Sequence, residues 1–172
     1  MSTTEENAGY IRHGIEEIFN RRNMAVADER FAEDIVLHSP AQREPMRGRA
    51  TLKGFIGKLH TAFPDMRVTL EDLVAAGDRV VTRCTTRGTQ DGDYFGTPPT
   101  GNPVTMSEVQ IYRVVDGRIV ELWLFFNVLD VLVQLGVIPP KGLPRPVLEL
   151  ICWGQRRASR KRRRSGSARN DG

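Results

Sequence analysis

The 172-residue sequence has only two cysteines, Cys84 and Cys152, and neither belongs to a CxxC pair or to a Cys/His spacing that suits a metal. Neither a disulfide framework nor a structural zinc is expected. The longest apolar stretch, Leu122 to Leu129 with one Asn in it, falls far short of the roughly 20 residues that a membrane-spanning helix needs. The opening "MSTTEENAGYIRHG" offers hydroxyls and acids where a secretory leader would carry basic residues and an apolar run, so the expected location is the cytoplasm. No Gly-rich phosphate loop stands at a strand-to-helix turn, and there is no nucleophile elbow and no internal repeat.

Charge is unevenly spread. The net +4 conceals a tail, residues 141–172, that holds ten of the 25 Lys and Arg but only two of the 21 Asp and Glu. Without it the body is acidic, at about −4 by count. The run "RRASRKRRRSGSARNDG" is therefore expected to be a solvated, disordered terminus. Contact with nucleic acid through counterion release is the less favoured reading. The organisation expected is one domain over 1–140 and a basic tail over 141–172.

Along the body, Thr3 and Glu6 form a capping box ahead of a helical stripe of Ala8, Ile11, Ile15, Ile18 and Phe19. A short helix from Met24 to Phe31 has Asn23 available as its cap. "DIVLHSP" reads as a strand with His38 near its end. "GRATLKGFIGKLHTAFPD" is a third helix, presenting Leu52, Phe55, Ile56, Leu59, Ala62 and Phe63 and stopped by Pro64. The period then changes to two. Strands follow around the turns Gly77-Asp78 and Asp116-Gly117, "GTPPTGNPV" is a turn-rich loop between two of them, and "VLDVLVQLG" closes as a helix with Gly136 at its end. Segregated helices and antiparallel strands predict an α+β fold, with helices covering one face of a curved sheet.

The strand "IVELWLFFN" sharpens the functional question. Alternation predicts Ile119, Glu121, Trp123, Phe125 and Asn127 on one face and Val120, Leu122, Leu124 and Phe126 on the other. Both faces are apolar. One is expected to line a cavity under the helices, and the face carrying Leu122 and Leu124 is expected to meet a second copy in a homodimer or larger homo-oligomer.

Together, "AFPD" after a helix, "GTQDGDYFGTPPTGNPV", "DGRIVELW", and "QLG" before a proline resemble the SnoaL-like polyketide cyclase family over residues 7 to 140. The resemblance implies the cone-shaped α+β barrel shared with ketosteroid isomerase and limonene epoxide hydrolase, with an apolar pocket, oligomeric assembly, and ring closure without a metal or organic cofactor. It implies a small-molecule polyketide substrate in secondary metabolism such as antibiotic biosynthesis. Cyclases of the family place an Asp four residues after the Trp, as acid and base in an intramolecular aldol condensation. Asn127 stands there in this sequence, and its amide can donate hydrogen bonds but cannot exchange a proton. A hydroxylase-like branch has Asn at that place and Asp directly after the Trp, where this sequence has Leu124. The implied reaction is thus aldol-type cyclisation, with a hydroxylase-like role or non-catalytic binding as alternatives.

On that basis the catalytic candidates are Asn127 as a polarising donor and His38 and Glu121 as proton carriers, although Glu121 could instead pair with Arg113 or Arg83. Trp123, Phe125, Phe63, Met106 and Tyr112 are the candidate substrate-binding walls. His13 and His60 are expected to face solvent.

Overall fold

In a computed structural model of the chain, residues 4–139, Pro144 and Pro146 are described. The chain divides into two compact units, Met1–Val137 and Ile138–Gly172. Thr3 of the expected capping box and nearly all of the basic tail lie outside the described residues.

The first unit runs α1 (Thr4–Ile15), a π-helical turn (Glu16–Asn20), α2 (Met24–Arg30), β1 (Phe31–His38), β2 (Met46–Arg47) and α3 (Arg49–Ala62). Then come β3 (Arg67–Ala76), β4 (Arg79–Thr89), β5 (Pro103–Val115), β6 (Arg118–Phe126) and α4 (Val128–Gln134). The six strands form one sheet in the order β2-β1-β6-β5-β4-β3. Its two end strands do not pair with each other, so the sheet curves without closing. All neighbours are antiparallel except β1 and β6. The α+β architecture read from the sequence is present, with the short β2 as an unexpected addition.

Local chemistry explains most boundaries. Asp116 and Gly117 both have positive φ, +49° and +71°, the pairing that a tight hairpin between twisted strands requires. Helix α3 buries Leu52 and Ile56 and stops before Pro64. The stripe on α1 buries Ile11, Ile15 and Ile18, but the helix widens to π geometry at Glu16 instead of continuing as α. There the Asn20 side chain accepts from the Val68 amide at 2.8 Å and donates to the Val68 carbonyl at 2.9 Å. Those two long-range bonds to β3 hold the turn, and no local signal announces them. Asn23 precedes α2 as expected, but its side chain makes no cap hydrogen bond and its NH₂ group donates to Glu17 Oε2.

The strand register overturns one expectation outright. Glu121 pairs with Arg113 and Ile119 with Val114, leaving Val120 as an extra residue in β6. This β-bulge places Ile119 and Leu122 on the same face, so alternation is reset partway along the strand. Leu122, Leu124 and Phe126 consequently face the cavity, and Glu121, Trp123 and Phe125 lie on the opposite face of the sheet. The predicted inner and outer sets beyond the bulge are exchanged.

Candidate functional site

The sheet's concave face, α1 with its π turn, and α3 enclose an apolar cavity lined by residues such as Ile11, Ile18, Phe55, Phe63, Met106 and Leu122. Its polar wall comes chiefly from β5. Along that strand Val104, Met106, Glu108, Gln110 and Tyr112 alternate inward, so two polar side chains stand among apolar neighbours.

Glu108 is the chemically distinctive group. Only 6% of it is exposed, and the Thr86 hydroxyl donates to its Oε1 at 2.8 Å. Gln110 supplies a further side-chain hydrogen bond. Burial raises the carboxyl above its ordinary range, and the bonds from Thr86 and Gln110 oppose that rise without cancelling it. The Tyr112 hydroxyl donates to Gln110 Oε1, which turns the amide so that its NH₂ is free to serve Glu108. Tyr112 is itself buried, and desolvation holds its phenol well above the usual value. Tyr94, also on the wall, is pushed up to about 12 by burial. Glu108 is thus a buried carboxyl among otherwise uncharged lining residues.

Cys84 belongs to the same core but is fully buried, and burial pushes its thiol to about 11. It is a packing residue rather than a nucleophile.

The structure distributes the sequence-derived candidates over three places. Phe63, Met106 and Tyr112 line the cavity. Because of the Val120 bulge, Glu121, Trp123 and Phe125 do not, and His38 shares their face. There His38 stacks on Trp123 with ring centroids 5.2 Å apart, and its Nε2 lies 3.0 Å from Glu121 Oε1. Arg113 donates to Glu121 Oε2 from Nε and Nη2 at 3.2 and 3.1 Å. Desolvation would raise the Glu121 carboxyl, but the hydrogen bonds from His38 and Arg113 outweigh it and hold the group below its usual range. The Arg113 partnership allowed by strand spacing is present, whereas Arg83 bonds Asp72.

Asn127 is the third place. It is exposed at the start of α4, where its Oδ1 accepts the Asp130 amide at 3.1 Å as an N-cap. It does not line the cavity. His13 is exposed as expected, but His60 is half-buried against Phe19, and burial lowers its pKa.

Glu108 and Gln110 went unremarked in the sequence, although "PVTMSEVQIYRVV" contained their signal. Both share parity with Val104, Met106 and Tyr112, an apolar series that a solvated face would not show.

A model of the SnoaL-like polyketide cyclases matches residues 10–135. The chain belongs to the SnoaL-like polyketide cyclase family. Among solved structures similar to this SnoaL-like chain, AclR, a proposed hydroxylase from Streptomyces galilaeus, is 27% identical with a TM-score of 0.70. The match covers 93% of this chain and 98% of AclR. IdmH, a proposed polyketide cyclase from Streptomyces antibioticus, is 38% identical with a TM-score of 0.64, over 74% of this chain and 96% of IdmH. No curated protein matches. Among the described residues of this SnoaL-like protein, no group of three or more His, Cys, Asp or Glu is arranged to hold a metal ion, and no helix is long and apolar enough to cross a membrane.

Proposed function

We propose that the protein is a polyketide cyclase acting on an aromatic polyketide intermediate of secondary metabolism, with Glu108 carrying the proton. The observation that supports this is a single buried carboxyl, hydrogen-bonded by Thr86 and Gln110, at the wall of an apolar cavity. In an intramolecular aldol closure the carboxylate takes a proton from an activated methylene. The resulting enolate carbon forms a bond to a carbonyl carbon of the same molecule, and the carbonyl π pair moves to oxygen. Glu108 then returns the proton to that alkoxide. A carboxyl whose pKa is raised by burial is a stronger base than a solvated one, and the apolar lining excludes water that would compete for the enolate.

This reading transfers the proton-carrying role from the position of Asn127 to β5. It leaves His38 and Glu121 as a hydrogen-bonded pair, with Arg113 on Glu121, on the other sheet face. We also propose self-association through that face, where Trp123 and Phe125 stand beside Val109, Val81 and Val74, the last four of them exposed. A cytoplasmic setting suits the free thiol of Cys84.

A hydroxylase-like reaction is the second reading, favoured by the likeness to AclR. Mass spectrometry of the product formed with and without air separates the two. Cyclisation yields an isomer of the substrate, or that isomer less one water, at equal rate in both atmospheres. A product heavier by one oxygen, formed only in air, refutes the cyclase reading. Tight binding with no turnover in either atmosphere assigns the protein as a binding module.

A further inference from the structure

Tyr94 carries a hydroxyl that the fold leaves unused. Its side chain is half-buried on the cavity wall, and among the described residues no protein group hydrogen-bonds its phenol. By contrast, Thr86 on the same wall donates to Glu108 and Tyr112 donates to Gln110. A desolvated hydroxyl without a partner is less favourable in an apolar wall than the bare ring of phenylalanine. Packing therefore accounts for the ring of Tyr94 but not for its oxygen.

The ring is held in place before any ligand arrives. Tyr94 and Thr97 exchange backbone hydrogen bonds at 3.0 Å, and Phe95 and Gly96 between them have positive φ, +50° and +83°, which closes a tight turn. Behind that turn the fully buried Gln90 donates to the carbonyls of Gly92, Thr97 and Pro98. The Asp91 and Gly92 amides donate to Ala62 O at the end of α3. The Tyr94 ring meets Phe63 edge-on at 5.2 Å and Phe95 at 4.6 Å. It packs in the same cluster as Met106, which stands one inward step along β5 from Glu108. Burial, and after it the charge of Glu108, pushes the phenol up to about 12. The hydroxyl therefore stays protonated around neutral pH and acts as a hydrogen-bond donor rather than as a base.

We propose that Tyr94 is a second catalytic residue, whose hydroxyl donates a hydrogen bond to the carbonyl oxygen that becomes the enolate oxygen when Glu108 removes the methylene proton. This rests on the cyclase reading and deepens it by dividing the work between two side chains. Glu108 receives the proton, the C–H bonding pair becomes the new C=C bond, and the carbonyl π pair moves onto the oxygen that Tyr94 bonds. The phenol keeps its own proton throughout. When the enolate carbon attacks the second carbonyl, the charge passes to the alkoxide that Glu108 protonates, and Tyr94 ends as it began. A donor fixed in advance where charge develops stabilises the transition state more than the neutral ground state.

The test compares the full chain with its Tyr94→Phe variant, which keeps the ring and its contacts with Phe63 and Phe95 and removes only the hydroxyl. Two rates are read at neutral pH. One is cyclisation of an aromatic polyketide methyl ester, followed by absorbance. The other is protein-promoted deuterium exchange, followed by NMR, at the activated methylene of an analogue that lacks the second carbonyl. Both should fall about 100- to 1,000-fold, the range for loss of one such donor. Tm should be unchanged or higher, because no protein hydrogen bond is lost. If both rates stay within threefold of the parent, Tyr94 is not catalytic although the cyclase reading stands. If cyclisation falls while exchange does not, the hydroxyl does not serve the enolate oxygen and the proposal is overturned. A Tm lowered by several degrees assigns the hydroxyl to folding and overturns it as well. A parent that neither cyclises the ester nor promotes exchange removes the cyclase reading, and this inference with it.

Discussion

Replacing Glu108 by Gln should move activity and stability in opposite directions. The amide keeps the side chain's shape, and it can still accept from the Thr86 hydroxyl, but it cannot exchange a proton. General acid and base assistance is worth about 100- to 10,000-fold, so turnover of a fused-ring polyketide methyl ester should fall by at least about 100-fold. Followed by absorbance of the cyclised chromophore, the loss should lie in kcat rather than KM, because Gln preserves the contact surface.

For stability the sign follows from burial. The folded-state pKa of Glu108 is raised above the unfolded value, so the proton is held more tightly in the folded chain. Its contribution is fully present below the unfolded pKa and is lost as pH rises through the folded pKa. Above the unfolded pKa the parent therefore bears the cost of this desolvation, which Gln does not. The variant should be more stable there by about 0.5–2 kcal/mol, the range of a typical single stabilising substitution. Each kcal/mol should appear as about 2–4 °C in Tm. The gain should shrink as pH falls through the folded pKa and vanish below about 4, the ordinary range of Glu in an unfolded chain. A Glu108→Gln protein that cyclises within threefold of the parent refutes the assignment of the proton to Glu108. One that is less stable than the parent at pH 7 refutes the balance in which desolvation outweighs the two hydrogen bonds.

Asn127→Ala should cost about 1 kcal/mol through loss of the α4 cap, whereas Asn127→Asp should keep the cap, and neither should change kcat more than about twofold; a large rate change in the Asp variant would place this side chain in the reaction. Gly92→Ala should lower Tm sharply, by more than 5 °C in a thermal scan, because an added Cβ would lie 2.5 Å from the Thr61 carbonyl oxygen. If the protein self-associates through the exposed sheet face as proposed, Phe125→Lys should yield a monomer in sedimentation at micromolar concentration while Tm in dilute solution changes little; a parent that is already monomeric, or a variant that sediments like an oligomeric parent, refutes that interface. Removing residues 156–172 should leave Tm within about 1 °C in a thermal scan, as the charge-rich composition of that run leads one to expect; a drop of several degrees would refute that expectation.

Element types were legible in the sequence wherever the cause was local. The 3.6-residue stripe of α3 with Pro64 after it, the two-residue period of β4 and of β5 where they pair, and the Asp116-Gly117 hairpin each act within a few residues and formed as read. The family, too, was carried by short motifs, and so was the apolar cavity. Tertiary structure decided which side chains enter that cavity. β6 is apolar on both faces, so nothing in its pattern favours one face over the other, and the extra residue Val120 in its pairing with β5 inverted the assignment of every residue beyond it. That single register step sent Glu121 and Trp123 to the outer face with His38 and brought Leu122 and Leu124 inside. In β5, where no bulge lies between Val104 and Tyr112, the spacing of Glu108 and Gln110 was already written in the sequence. Only the enclosure of that face within the cavity made the carboxyl a buried one and gave it a raised pKa, because desolvation depends on what surrounds a side chain in space rather than on what lies beside it in the chain.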